Sequence, residues 1–73
     1  LLWVLMITSA ENRGWPGDVD ISDIAAAGLP VPSVVRTAKI ATIEARDAAR
    51  IGTLPETDRP LVSGHLRRTL ALG

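Results

Sequence analysis

The chain has no cysteine, no phenylalanine and no tyrosine, only two tryptophans and a single histidine. Without cysteine there is no disulfide and no thiolate metal site, which fits a reducing compartment or indifference to redox state. Without Phe or Tyr the core must be aliphatic, built from Leu, Ile, Val and Ala. One histidine excludes a two-histidine acid–base pair within one chain. Long apolar runs are also missing. The longest, Leu1 to Ile7, is far too short to span a bilayer. A secretory leader needs a basic start and a cleavage site, and neither is present, so the expectation is a cytoplasmic protein with no membrane partner. With 73 residues the chain buries only about 60% of its unfolded surface and is marginal without a staple or a partner. So small an aliphatic core invites completion by a second copy of the chain.

Net charge is zero, but the halves differ. Residues 1–35 set Glu11, Asp18, Asp20 and Asp23 against Arg13, a net of −3. Residues 36–73 set seven cations (Arg36, Lys39, Arg46, Arg50, Arg59, Arg67, Arg68) against Glu44, Asp47, Glu56 and Asp58, a net of +3. The second half therefore suits an anionic partner, although solvated faces explain the charges equally well.

The opening apolar run ends at Thr8-Ser9 and reads as a buried strand. A loop follows, Glu11-Asn12-Arg13-Gly14-Trp15-Pro16-Gly17, punctuated by Pro and Gly. Asp18-Val19-Asp20-Ile21 alternates polar and apolar residues, as a half-buried strand does; with the first strand it predicts a long-looped hairpin. Ile24–Ala27 predicts one helical turn, capped by Ser22 or Asp23 and ended by Gly28. Leu29-Pro30-Val31-Pro32 must be extended. Ser33–Ile43, rich in Val, Ile and Thr, predicts the longest strand. On a regular strand its Arg36 and Lys39 point to opposite faces. Glu44–Arg50 reads as a helical turn or loop and Ile51–Pro55 as a bend. The C-terminus predicts a helix with Thr57 as N-cap and Pro60 at the third helical position, where a missing N–H costs little. Val62, Leu66, Thr69 and Leu70 fall at helical spacing as a buried stripe. Strands followed by one terminal helix predict a mainly β fold, a small barrel or an α+β sheet.

Several residues carry possible chemistry. A rigid Thr8 hydroxyl can donate to a phosphoryl oxygen but is a poor base; alternatively it satisfies a turn backbone. Ser9 stands beside it. Arg13 and Trp15 share one loop and could grip a phosphate and stack a base; otherwise Arg13 is solvated and Trp15 anchors the loop. Arg36 and Lys39 cannot form one clamp; one could meet a phosphate while the other is a surface or interface residue. His65 reads as a solvated helix residue. Asp18, Asp20 and Asp23 imitate the start of a calcium loop, but Asp23 stands where glycine is needed and Leu29 where glutamate is needed. No metal site and no cofactor is expected.

Three pieces, in order, carry a family resemblance: Met6-Ile7-Thr8-Ser9 leading to Gly14-Trp15-Pro16-Gly17-Asp18-Val19; Gly28-Leu29-Pro30-Val31-Pro32-Ser33 running on to Ile43; and Ile51-Gly52-Thr53-Leu54 before the helix. From about Val4 to Leu70 the chain resembles the latter part of PemK/MazF-type toxins of type II toxin–antitoxin modules. The resemblance implies an SH3-like β-barrel with a C-terminal helix, a homodimer, a cognate antitoxin peptide as partner, and metal-independent cleavage of single-stranded RNA. In such toxins a threonine works with an arginine from an earlier segment. Thr8 matches the threonine; the arginine's segment is absent from this sequence, so the barrel is expected to be incomplete, a single toxin-like domain over residues 1–73 lacking its first strands. Thr8 is then the catalytic candidate, and Ser9, Arg13, Trp15, Arg36 and Lys39 are the RNA-binding candidates. Two alternatives stay open: a non-catalytic remnant that keeps antitoxin or dimer contacts, and a small nucleic-acid-binding barrel.

Overall fold

A computed structural model describes residues 1–72. Three strands form one antiparallel sheet: β1 (Leu2–Ser9), β2 (Asp18–Asp20) and β3 (Ser33–Ile43), with α1 (Arg59–Leu72) closing the chain. Single 3₁₀ turns follow β1 at Ala10–Asn12 and β3 at Ala45–Asp47. The fold is mainly β with a C-terminal helix, a partial barrel of the expected kind whose sheet is not closed. Among the described residues no helix is long and apolar enough to cross a membrane.

The sheet order is β1-β3-β2, so β1 and β2 do not form the expected hairpin. β3 lies between them and pairs with both. A long strand of β-branched residues offers a full ladder of donors and acceptors on each edge. The loop from Ala10 to Gly17 therefore joins the two outer strands, meeting β3 at Arg36 and Thr37.

The expectation of a buried first strand also fails. β1 lies at an edge with one neighbour, and none of its residues is fully buried; Trp3 is 72% exposed. The apolar core is small and sits where all three strands run side by side: Val19, Ile21, Val34 and Val35. Ile21 prolongs the β2 pattern, its N–H donating to Ser33 O at 3.0 Å.

Register breaks once. Leu5 faces Ile40, yet Met6 faces Arg36, so residues 37–39 have no partner on β1. Such a bulge bends a strand and re-aims its side chains.

The Ile24–Ala27 turn forms as expected, with Asp23 as the cap: its Oδ1 accepts from the Ala26 N–H at 3.1 Å. The turn ends at Gly28 with φ +75°. A side chain on Gly28 would meet the backbone of Ile51, and one on Gly52 would meet that of Ala27. The Thr53 N–H donates to Ala26 O at 2.9 Å across this contact.

The helix starts later than expected. α1 begins at Arg59, which puts Pro60 second, and Thr57 does not cap it; the Thr57 hydroxyl instead meets Ser22 Oγ at 3.2 Å. The buried Asp58 accepts from the Ser22 N–H at 2.8 Å and from Ser22 Oγ at 3.2 Å, tying the helix start to the residues after β2. Of the expected stripe, Val62, Leu66 and Thr69 are half-buried and Leu70 is exposed. Leu70 borders an open apolar groove with Trp3 and Ile40, because the end of β3 has only β1 beside it.

Candidate nucleic-acid interface

The loop after β1 and the middle of β3 meet through Arg36. This arginine lies on the central strand with neighbours on both sides, opposite Met6 of β1 and Asp18 of β2. It is only 6% exposed. Its Nε donates to Asp18 Oδ1 at 3.2 Å and one terminal nitrogen donates to Asp18 Oδ2 at 3.1 Å, a two-pronged ion pair. The same nitrogen donates to Asn12 O at 2.6 Å. A buried charge pair is tolerated best when its remaining groups are also bonded, and here two of the three guanidinium nitrogens have partners. Asp18 Oδ2 takes the Gly14 and Trp15 N–H groups, both at 3.3 Å. The hydrogen bond from Arg36 holds the Asp18 carboxyl below the usual carboxylate range, helped by the loop N–H groups and opposed by desolvation.

Trp15 covers this pair. The Arg36 guanidinium carbon is 4.2 Å from the centre of the indole ring, and Lys39 Nζ is 6.0 Å from it. Both lie within cation–π range. The expectation that Arg36 and Lys39 point apart is thus corrected. The strict alternation behind it is interrupted by the bulge at residues 37–39. Trp15 remains 48% exposed, so part of its ring is open above the cations that flank it.

Thr37, within the bulge and fully buried, locks the other side of the loop. Its Oγ1 donates to Gly17 O at 2.8 Å. Gly17 has φ +84°, and a Cβ there would lie 2.5 Å from that hydroxyl. Only glycine suits both demands.

Thr8 stands at the far end of the same network. It pairs with Val34 across the ladder. Its Oγ1 accepts from Asn12 Nδ2 at 3.0 Å, and Asn12 O is the acceptor for Arg36. A threonine hydroxyl that accepts in this way keeps its own hydrogen for another acceptor. Ser9 does a separate job: its Oγ accepts from the Glu11 N–H at 3.4 Å and caps the first 3₁₀ turn. Arg13 pairs with Asp20 at 3.4 Å, both side chains being more than half exposed; such a pair contributes little and leaves Arg13 free to exchange partners.

The structure therefore joins Thr8, Trp15, Arg36 and Lys39 around one loop. Ser9 stands at its start and Arg13 on its outer side. Asn12, Asp18 and Thr37 are parts that sequence reasoning missed. The nearest signal was the Asp18 charge, read there only as a rejected calcium ligand. Among the described residues, no group of three His, Cys, Asp or Glu side chains is placed to hold a metal.

The sequence model of the family described as PemK-like, MazF-like toxin of type II toxin–antitoxin system matches residues 1–70 of the chain. No curated protein matches it.

Proposed function

The chain belongs to the PemK-like, MazF-like toxins of type II toxin–antitoxin systems, and from that premise we propose that it acts on single-stranded RNA as an endoribonuclease that needs no metal ion. In such a reaction the ribose 2′-oxygen attacks the adjacent phosphorus and the 5′-oxygen leaves. Negative charge builds on the phosphoryl oxygens, and a fixed donor aimed at them lowers the barrier. Thr8 is that donor. Trp15 stacks a base, while Lys39 and Arg13 meet neighbouring phosphates and Ser9 shapes the loop entry. Arg36 acts as a positioning residue, since most of its donors are engaged by Asp18 and Asn12. A cognate antitoxin peptide is the regulatory partner, a homodimer the working form and the cytoplasm the place of action.

The observation that supports this reading best is the Thr8 hydroxyl, held by Asn12 Nδ2 at 3.0 Å with its own hydrogen uncommitted. The test is cleavage of single-stranded RNA in EDTA, followed on a gel, with binding followed by anisotropy of labelled RNA. A chain extended by the earlier segment that carries the arginine is expected to cut, and Thr8→Ala in it to slow cutting by about 10²-fold with little change in binding. Undiminished cutting by Thr8→Ala rejects the role. A second reading, binding without cleavage, is favoured by the engagement of Arg36. It predicts that RNA or antitoxin peptide binds and nothing is cut.

A further inference from the structure

A second cleft lies on the other side of the Trp15–Gly17 turn, between that turn and α1. Pro16, Gly17, His65, Arg68 and Thr69 line it, and its volume is about 310 Å³. Its chemistry is one-sided. α1 carries Arg59, His65, Arg67 and Arg68 and no acidic residue. Among the described residues neither Arg67 nor Arg68 forms an ion pair. Instead Arg68 lies beside the imidazole, 3.5 Å from His65 Nδ1, a contact at the outer limit of hydrogen bonding. Thr69 Oγ1 is turned back onto His65 O at 3.0 Å, so the polar groups left to face the opening are the guanidinium and the imidazole.

We propose that this cleft is a phosphate-binding subsite, and that it takes a backbone phosphate of the RNA whose base stacks on Trp15. The inference rests on the RNA-binding reading above. A phosphodiester seated there accepts from the Arg68 guanidinium and from an imidazole N–H, replacing one long contact with charge-assisted bonds. The turn is the shared wall: Trp15 presents its ring on one side, and Pro16 and Gly17 bound the cleft. A strand passing over Pro16 therefore meets a stacking platform and then a cationic seat. Gly17 brings the turn backbone against the imidazole: a Cβ built on it would lie 3.8 Å from His65 Nδ1, an ordinary van der Waals contact.

His65 is the sole histidine, so its imidazole proton resonances report on this cleft alone. The experiment titrates the full chain with inorganic phosphate and, separately, with a labelled single-stranded oligoribonucleotide. Imidazole shifts are read by NMR and RNA binding by anisotropy. The expected result is that both ligands move the His65 signals. Arg68→Ala should lower the salt slope of RNA binding by about 0.7, the loss of one phosphate contact on a single strand, while Arg68→Lys keeps most of it. Circular dichroism checks that both variants keep the helix. If His65 is unmoved by an RNA that binds, the subsite is refuted while the RNA reading stands, and a response to phosphate alone marks the cleft as an adventitious ion site only. If no RNA binds, both readings fail.

Discussion

The two halves of β3 are made of similar residues and live in different surroundings. Residues 33–37 have β1 on one side and β2 on the other over most of their length, and all five are buried. Residues 40–43 pair with β1 alone, residues 38 and 39 lie in the bulge without a partner, and all six are exposed or half-exposed. The first half holds Arg36 and Thr37, which are bonded to Asn12 O and Gly17 O of the loop that carries Trp15. The second half borders the open apolar groove of Trp3, Ile40 and Leu70. Burial in this strand thus follows the number of neighbouring strands more than the side chains themselves, and the β3 part of the candidate site stands on the half that has two, except for Lys39 just beyond it.

The sharpest test of this contrast is Arg36→Ala. It leaves the Asp18 carboxylate enclosed without its cation, and breaking such a pair costs about 3 kcal/mol. In a domain this small, urea unfolding should show most of the native state lost. A companion change of Asp18 to Leu should recover part of the loss, because removing both charges avoids an unpaired one.

The same pair makes the first half sensitive to acid. The folded Asp18 carboxyl lies below its unfolded range, chiefly through the Arg36 hydrogen bond. A depressed carboxyl contributes stability that is complete above the unfolded range and disappears as the pH falls through the folded value. Midpoints of urea unfolding should therefore decline as the pH drops below the ordinary carboxylate range. In Asp18→Asn that portion of the decline should vanish.

Thr37→Val keeps the shape and removes the hydroxyl. Gly17 O, on a half-buried residue, then loses its partner, a loss of about 1 kcal/mol, and the loop should show faster amide exchange around Gly17. The smallest effect belongs to the other half. Trp3→Thr, at a 72% exposed position, should change stability by no more than about 0.5 kcal/mol. A larger loss would mean that Trp3 is covered in solution and would break the comparison.

Much of the local structure was legible. The span of β3, from Ser33 to Ile43, followed from its β-branched content and its lack of Gly and Pro. The turn from Asp23 to Gly28 followed from a capping side chain and a glycine at its end. The partners were not legible. Asp18 and Arg36 are 18 residues apart, and nothing local in either residue names the other. Lys39 and Arg36 were assigned to opposite faces because an unbroken strand alternates, whereas the bulge between them depends on how β1 pairs.

What the sequence determined by itself was where the chain extends, where it turns and where it becomes helical, because those preferences reside in a few consecutive residues. What only the tertiary structure decided was which strand took the centre, which carboxylate met Arg36 and which hydroxyl kept a free hydrogen. Those outcomes arise from competition among distant backbone edges and buried charges, and each charge or donor taken from water must find its partner wherever the fold brings one near.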